Sequence, residues 1–387
     1  MKIKSVLPPI IHLLFIGAFL VVCLLPWVDF LFNVDPTPSL QENRELAAFP
    51  RLPSGFTSLN RYPDNFNTYF DDHFGFRRLL IKSYSRIMLQ VFRTPSNPAV
   101  ILGKDNWLFL AGHYGLQYYQ SQTLFTPAEL ERWKTSLKQD RDILRSRNTR
   151  FLIVIAPNKD TIYPEYMPDN IIRFQTQSRL DQLLDYLGSD SDLDILDLRP
   201  VLIQAKGEEL LYDRSDTHWN GNGVYLAYQA IINKSNTWFP QLEPLSLDNF
   251  SIQSRPGGGD LFAFLGLSDS LTDQIIDVVQ KTPSLAQAVT YELPAADKPI
   301  PSSSILPVVF QIDDPELPRA VVFHDSFGLR LMPLLSQNFQ RTAFFQAGYY
   351  SQYEGLMEIL NHEKPDLVIY EFAERSLQFP DYIFRLK

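Results

Sequence analysis

Two short segments hold the side chains best suited to covalent acyl chemistry. One is His324-Asp325-Ser326-Phe327-Gly328, directly after the apolar run Ala320–Phe323. The other is Tyr212-Asp213-Arg214-Ser215-Asp216-Thr217-His218-Trp219-Asn220. A serine hydroxyl is a weak nucleophile until a base removes its proton. Histidine is the usual base, and it needs a carboxylate or carbonyl to fix its tautomer. Asp216 and His218 are two apart, so in an extended segment both point to one side. The Asp216 carboxylate can then reach one imidazole nitrogen while the other faces Ser326.

The elements around these segments suit that chemistry. A serine between a strand and a helix lies at the carboxyl edge of an α/β sheet, where ligands sit. The following helix turns its N-terminal amides and positive dipole end to the same place. The backbone N–H groups of Ser326 and Gly328 are therefore candidate donors to an oxyanion, and His324 borders the site. Each segment alone has a plainer reading. Ser326 can serve as a helix N-cap, and Asp216 can cap the helix beyond Asn220 while His218 lies on the surface. The two together, each at a loop–helix boundary, favour catalysis.

From Thr126 onward helices and strands alternate. Thr126 and Glu129 form a capping-box pattern for a helix over 127–147. Phe151–Ala156 is a continuous apolar run, as in a strand buried on both faces. A helix over 176–187, a strand over 194–198, a helix from Gly221 to Asn233 capped by Asn220, and strands at 320–323, 342–346 and 367–372 complete the pattern. A helix is expected at 327–336. This alternation predicts a mainly parallel sheet covered on both sides. Upstream, 60–92 reads as helical and 100–110 as a hairpin. The Gly- and Pro-containing stretch at about 240–318 breaks the rhythm and reads as an insertion of loops and short strands.

Composition narrows the function classes. In a chain of 387 residues, 45% hydrophobic content allows a large core. The formal net charge is -9, and no Lys/Arg run marks the soluble part, so nucleic acid is not an expected partner. One cysteine, Cys23, excludes an intramolecular disulfide and a Cys-based metal site. The six histidines lack metal-ligand spacing, and no metal is expected. Lys2 and Lys4 precede an uncharged run from Ile10 to Val28, long enough to span a bilayer. The positive flank predicts a cytoplasmic N-terminus with the remainder outside. No small-residue cleavage site follows, so a retained signal anchor is expected. The chain divides into an anchor at 1–32, a linker at 33–59 and one domain over 60–387.

At these residues the chain resembles the alginate O-acetyltransferase family, the AlgJ/AlgX type of SGNH hydrolase-like protein. Asp216-Thr217-His218-Trp219 is similar to its Asp-x-His motif, and Asp325-Ser326-Phe327 to its Gly-Asp-Ser-Phe block. The order, Asp-x-His before the serine, is also the family's. Further likeness lies at Glu42-Asn43-Arg44 with Phe49-Pro50, Asp71-Asp72-His73-Phe74 with Arg77, and Gly103–Phe109. It continues at Pro157, Lys159 and Tyr163-Pro164, and at Gly259-Asp260-Leu261 with Leu265-Gly266-Leu267. The departure is His324 in place of glycine, where a side chain would narrow the pocket or alter the oxyanion hole.

The resemblance implies an SGNH-hydrolase-like three-layer αβα fold behind a transmembrane anchor. It implies Ser326 as nucleophile, His218 as base and Asp216 as orienter in acetyl transfer to an exopolysaccharide or envelope glycan. Gly328, His324, Lys159, Tyr163, Trp219 and Tyr349 are the candidates for substrate or oxyanion contact. No cofactor is expected. The implied partners are a polysaccharide acceptor and a membrane O-acyltransferase supplying acetyl. The implied location is the inner membrane, with the catalytic domain periplasmic or extracellular. Two alternatives remain: a carbohydrate acetylesterase of the same fold, or a non-catalytic polysaccharide-binding or assembly protein whose aromatics, such as Trp107, Tyr349 and Tyr350, stack on sugar rings.

Overall fold

The computed structural model describes residues 9–32, 34–35, 46–53, 55–188, 192–207, 209–281, 283–291, 307–346, 356–379 and 386. Tyr349 and Tyr350, Lys2 and Lys4, and the Glu42-Asn43-Arg44 segment lie outside the described residues. The chain forms two compact units, one of residues 1–97 with 262–271, the other of 98–261 with 272–387.

In the first unit, α1 (Pro9–Phe32) is followed by α2 (Phe56–Asp72) and α3 (Arg77–Gln90). The stretch Ile11–Asp29 of α1 has a mean hydropathy of 2.5, and no residue of it before Asp29 is buried. It is long and apolar enough to cross a membrane. The helical segment expected over 60–92 is two helices, separated at Phe76, whose φ of 57° no helix can continue through.

The second unit opens with the expected hairpin, β1 (Val100–Leu102) against β2 (Leu108–Leu110). Then come α4 (Gly115–Tyr119), α5 (Pro127–Arg145), β3 (Arg150–Ala156), α6 (Lys159–Ile162), α7 (Arg179–Leu187), β4 (Asp194–Asp197), α8 (Arg199–Ala205) and α9 (Gly221–Asn236). After them lie β5 (Phe250–Gly257), α10 (Asp260–Phe264), β6 (Asp273–Gln280), β7 (Gln287–Val289), β8 (Val308–Gln311), β9 (Arg319–His324), α11 (Gly328–Leu335), β10 (Arg341–Gln346), α12 (Leu356–Glu363) and β11 (Leu367–Ala373). The caps explain several boundaries. Thr126 and Glu129 form a reciprocal capping box at α5. Ser178 and Asp181 do the same at α7, which therefore starts later than the expected 176.

The main sheet has the order β4-β3-β11-β9-β10-β8-β7. It is mixed rather than mainly parallel. The five strands from β4 to β10 run parallel, and β8 and β7 add antiparallel at one edge. Those two strands come from the 240–318 stretch. An antiparallel strand needs only a reversing connection and no helical crossover, so helix–strand alternation does not announce it.

The strand period of two divides the core into two layers. Leu152, Val154, Ala320, Val322 and Ile369 pack on one face with α9 and α11. Phe151, Ile153, Ile155, Val321, Phe323 and Val368 pack on the other with α5, α7 and α12. The result is three layers, helix–sheet–helix, as expected. All five parallel strands end at one edge, and Ser326 follows β9 there. Also within the insertion, β5 pairs antiparallel with β6 from Phe250↔Gln280 to Gly257↔Asp273, with α10 between them in the chain.

Candidate active site

The segment carrying Asp216 and His218 is a closed loop. Tyr212 bridges to Trp219, and the Asn220 amide donates to the Leu211 carbonyl. Asn220 caps α9, accepting from the amides of Asn222 and Gly223. Asp216 is thus not the helix cap, and its carboxylate is available to the histidine.

Three neighbours hold the loop open around that carboxylate. Lys159, at the start of α6, donates its ammonium to the carbonyls of Asp213, Arg214 and Asp216 at 3.1, 3.0 and 2.6 Å. Asp273 accepts from the Ser215 amide and Asp213 accepts from the Ile276 amide, which ties the loop to β6. The Asp260 carboxylate accepts from the Thr217 amide at 2.7 Å. Gly259 permits that approach, because a Cβ there would lie 2.3 Å from the Ser215 carbonyl oxygen.

Ser326 is held as firmly. Asp325 accepts from the amides of Phe327 and Ala373, and the Asp325 amide donates to Glu371. This fixes the turn between β9 and α11. Phe327 stands at the N-cap position of α11 without a side-chain cap, so Ser326 is not the helix cap. Its hydroxyl lies 2.8 Å from His218 Nε2, and His218 Nδ1 lies 2.9 Å from Asp216 Oδ1. With the proton on Nδ1, the imidazole donates to Asp216 and accepts from the serine hydroxyl. The ring also rests on Phe327, centroids 4.9 Å apart. Among the described residues, the Ser326 amide has no hydrogen-bond acceptor, which leaves it open to an oxyanion.

Electrostatics favour an ionised Asp216. Burial pushes its carboxyl up. The opposing hydrogen bonds and charge of His218, with the charge of Arg330, hold it well below the usual carboxylate range. Arg330 Nη2 lies 3.5 Å from Asp216 Oδ2 and Nη1 lies 3.8 Å from Asp213 Oδ2. Burial, then the charge of Asp216, pushes Asp260 up. Asp260 Oδ2 lies 3.7 Å from His218 Nδ1, a second carboxylate on the same nitrogen. The ligand atoms of Asp216, His218 and Asp260 all lie within 4.8 Å of one another, but hydrogen bonds within the loop and to Ser326 already engage them.

The other candidates divide. Lys159 is buried, and its three donors go to loop carbonyls, so it positions the loop rather than meeting substrate. Trp219 is wholly buried and packs edge-on against Phe327. Tyr163 is buried, its hydroxyl accepting from the Leu211 amide. These three lie behind the site because aromatic bulk and a satisfied ammonium suit the packed layer between loop and sheet. Trp107 is likewise no sugar platform: it is buried and stacks on Tyr166 at 4.5 Å. His324 ends β9 with only 1% of its surface exposed. Its Nδ1 lies 2.6 Å from the Asp325 carbonyl, and burial pulls its pKa down. It lies under the start of α11, where a Cβ on Gly328 would come within 2.4 Å of its own Cβ. The imidazole therefore occupies space that Gly328 vacates and does not narrow the mouth of the site. The Gly328 amide acts on the Glu371 carboxylate, so of the two proposed oxyanion donors Ser326 is the freer.

Sequence reasoning missed Asp260, Arg330 and Glu371 as parts of this arrangement. Arg330 had a signal, as the one basic residue of the helix that follows Ser326. Glu371 had another, as the one acid inside the apolar run 367–373.

Comparison with known proteins bears on the family and fold of this chain. The family model for the SGNH hydrolase-like domain of acetyltransferase AlgX matches residues 100–295, which include the Asp216–His218 loop and Asp260. A Pseudomonas syringae pv. tomato protein named "Probable alginate O-acetylase AlgJ" is 28% identical over 204 residues, covering 52% of this chain and 49% of that protein. The Pseudomonas aeruginosa protein of the same name is 25% identical over 336 residues, covering 81% and 78%. The chain thus spans about half the length of the first of these relatives. The solved structure of Bacillus cereus PatB1 superposes with a TM-score of 0.55 at 16% identity, covering 74% of this chain and 99% of that one, which shows a shared fold. The chain belongs to the family of SGNH hydrolase-like acetyltransferase domains of the AlgX type.

Proposed function

We propose that the chain transfers acetyl groups to hydroxyls of a polysaccharide through an acetyl-Ser326 intermediate. The observation that carries this reading is the unbroken hydrogen-bonded line from Ser326 Oγ through the His218 imidazole to Asp216. His218 Nε2 takes the serine proton as Oγ attacks the acetyl carbonyl. The oxyanion draws on the Ser326 amide at the end of β9. Collapse expels the donor's oxygen, which receives the proton from His218. A sugar hydroxyl then enters, gives its proton to the same nitrogen and attacks the acetyl carbonyl; the ester bond to Ser326 breaks and Oγ takes the proton back from His218. Asp216 stabilises the imidazolium in both halves.

The relatives named as alginate O-acetylases support a polysaccharide acceptor. The apolar α1 supports attachment to a membrane. The positive flank at Lys2 and Lys4 supports an outward-facing catalytic unit, and the family resemblance supports a membrane O-acyltransferase as the source of acetyl. The test is to offer the full chain an activated acetyl ester with a panel of oligosaccharides, acidic and neutral. Acetylated sugar that disappears in Ser326→Ala supports transfer. Free acetate at a rate indifferent to every sugar would make the chain an esterase instead.

A further inference from the structure

We infer that α3 lies flat on the lipid surface beside α1, its exposed apolar stripe seated in the bilayer interface. The inference rests on reading α1 as a membrane span, and it adds a second contact with lipid.

The anchoring point is Asp29. It ends the apolar stretch of α1, and a carboxyl side chain is costly in the hydrocarbon core, so Asp29 marks the membrane boundary. It is buried within the first unit, where it accepts the amides of Phe76 at 2.8 Å and Asp35 at 2.6 Å. Phe76 is the residue from which α3 departs. Arg78, in the first turn of α3, pairs with Asp35 at 2.7 Å. The start of α3 is therefore pinned at the depth where α1 leaves the bilayer.

The two sides of α3 differ. Leu80, Tyr84, Ile87 and Val91 recur at helical spacing and form one stripe. Each is exposed, at 52, 56, 50 and 69%. The stripe runs about 16 Å at 1.5 Å per residue. The opposite side carries Arg78, Lys82 and Arg86. Lys82 pairs with Asp269, and Arg86 donates to the Ser270 carbonyl, so that side is occupied within the unit. A helix whose polar side is engaged and whose apolar side is bare, starting at the membrane boundary, has the distribution of an interfacial helix. Tyr84 suits the headgroup level, where aromatic residues with a polar tip collect.

The test uses the full chain in phosphatidylcholine vesicles containing some anionic lipid. With Cys23→Ser as background, single substitutions Tyr84→Cys, Ile87→Cys, Ile16→Cys in α1 and Gln139→Cys on the exposed side of α5 each receive a polarity-sensitive fluorophore. The inference predicts quenching by nitroxide-labelled lipid at 84 and 87, several-fold above that at 139, with protection from aqueous iodide. Iodide quenching at 84 and 87 equal to that at 139, with 16 still quenched by lipid, would overturn the inference while leaving the anchor intact. Protection from both quenchers would also overturn it and point to a second copy on the stripe. Loss of lipid quenching at 16 would overturn the anchor itself.

Discussion

The ammonium of Lys159 lies 2.6 Å from the backbone carbonyl of Asp216, the residue whose side chain orients the histidine. One buried cation thus sets the path of the whole loop from 213 to 218. Burial pulls its pKa down to about 8, against the charges of Asp216, Asp260 and Asp213. Lys159→Met leaves three carbonyls without their donor and should cost about 1–3 kcal/mol of stability. Turnover should fall more than tenfold as the His218–Ser326 distance loosens. Thermal melting and steady-state kinetics on the same preparation check both. Unchanged turnover in a destabilised variant would restrict Lys159 to stability alone.

The two carboxylates on His218 Nδ1 have unequal roles. Asp216 makes the short contact at 2.9 Å and Asp260 the long one at 3.7 Å. Asp216→Asn should lower kcat by about 10³–10⁴, the range seen when an orienting carboxylate is made neutral. Asp260→Asn should cost less than a factor of about 100, because its first duty is to the Thr217 amide. Equal losses would mean that the two share the work.

Gly328 and His324 fit only as a pair. Gly328→Ala drives a Cβ into the imidazole and should destabilise the fold by about 1–3 kcal/mol. In the background His324→Gly the same substitution should cost little. A double-mutant cycle by chemical denaturation measures the coupling, and additive losses would contradict it.

The stability contributed by Asp160 and Asp213 should fall as pH rises from about 4 to 7. Burial, then the charge of Glu374, pushes Asp160 up to about 7, and burial pushes Asp213 up to about 6. Between the unfolded value near 4 and these folded values, the folded chain binds more protons than the unfolded one. Unfolding free energy therefore declines with pH in that window and levels off above it. The displacement of Asp160 corresponds to a ceiling of roughly 4 kcal/mol. Asp160→Asn should flatten the slope in denaturation curves from pH 4 to 8, and parallel slopes would refute the assignment.

The sequence displayed what depends on local rules. The capping box at Thr126, the cap at Asn220 and the apolar runs of β3, β9 and β11 were legible because each boundary is set by neighbouring residues. The Asp216, His218 and Ser326 set was legible because residue type and position at helix boundaries limit what those side chains can do. Asp260 was not, since its link to Thr217 joins residues 43 apart. The burial of Lys159 and Trp107 was missed because polar and aromatic side chains near a motif suggest substrate contact, whereas here a packed layer behind the loop needs them. The antiparallel edge of β8 and β7 was hidden by its short strands, and the role of His324 by its dependence on a missing side chain four residues on.

The central claim is that Ser326 carries the acetyl group. The direct measurement is intact-mass and peptide analysis of the full chain after brief exposure to an activated acetyl ester, with acceptor sugar withheld. A single acetyl group on the peptide containing Ser326, absent in His218→Ala and in Ser326→Ala, is the result predicted. Full turnover with Ser326→Ala, or an acetyl group carried elsewhere in the wild type, would contradict it.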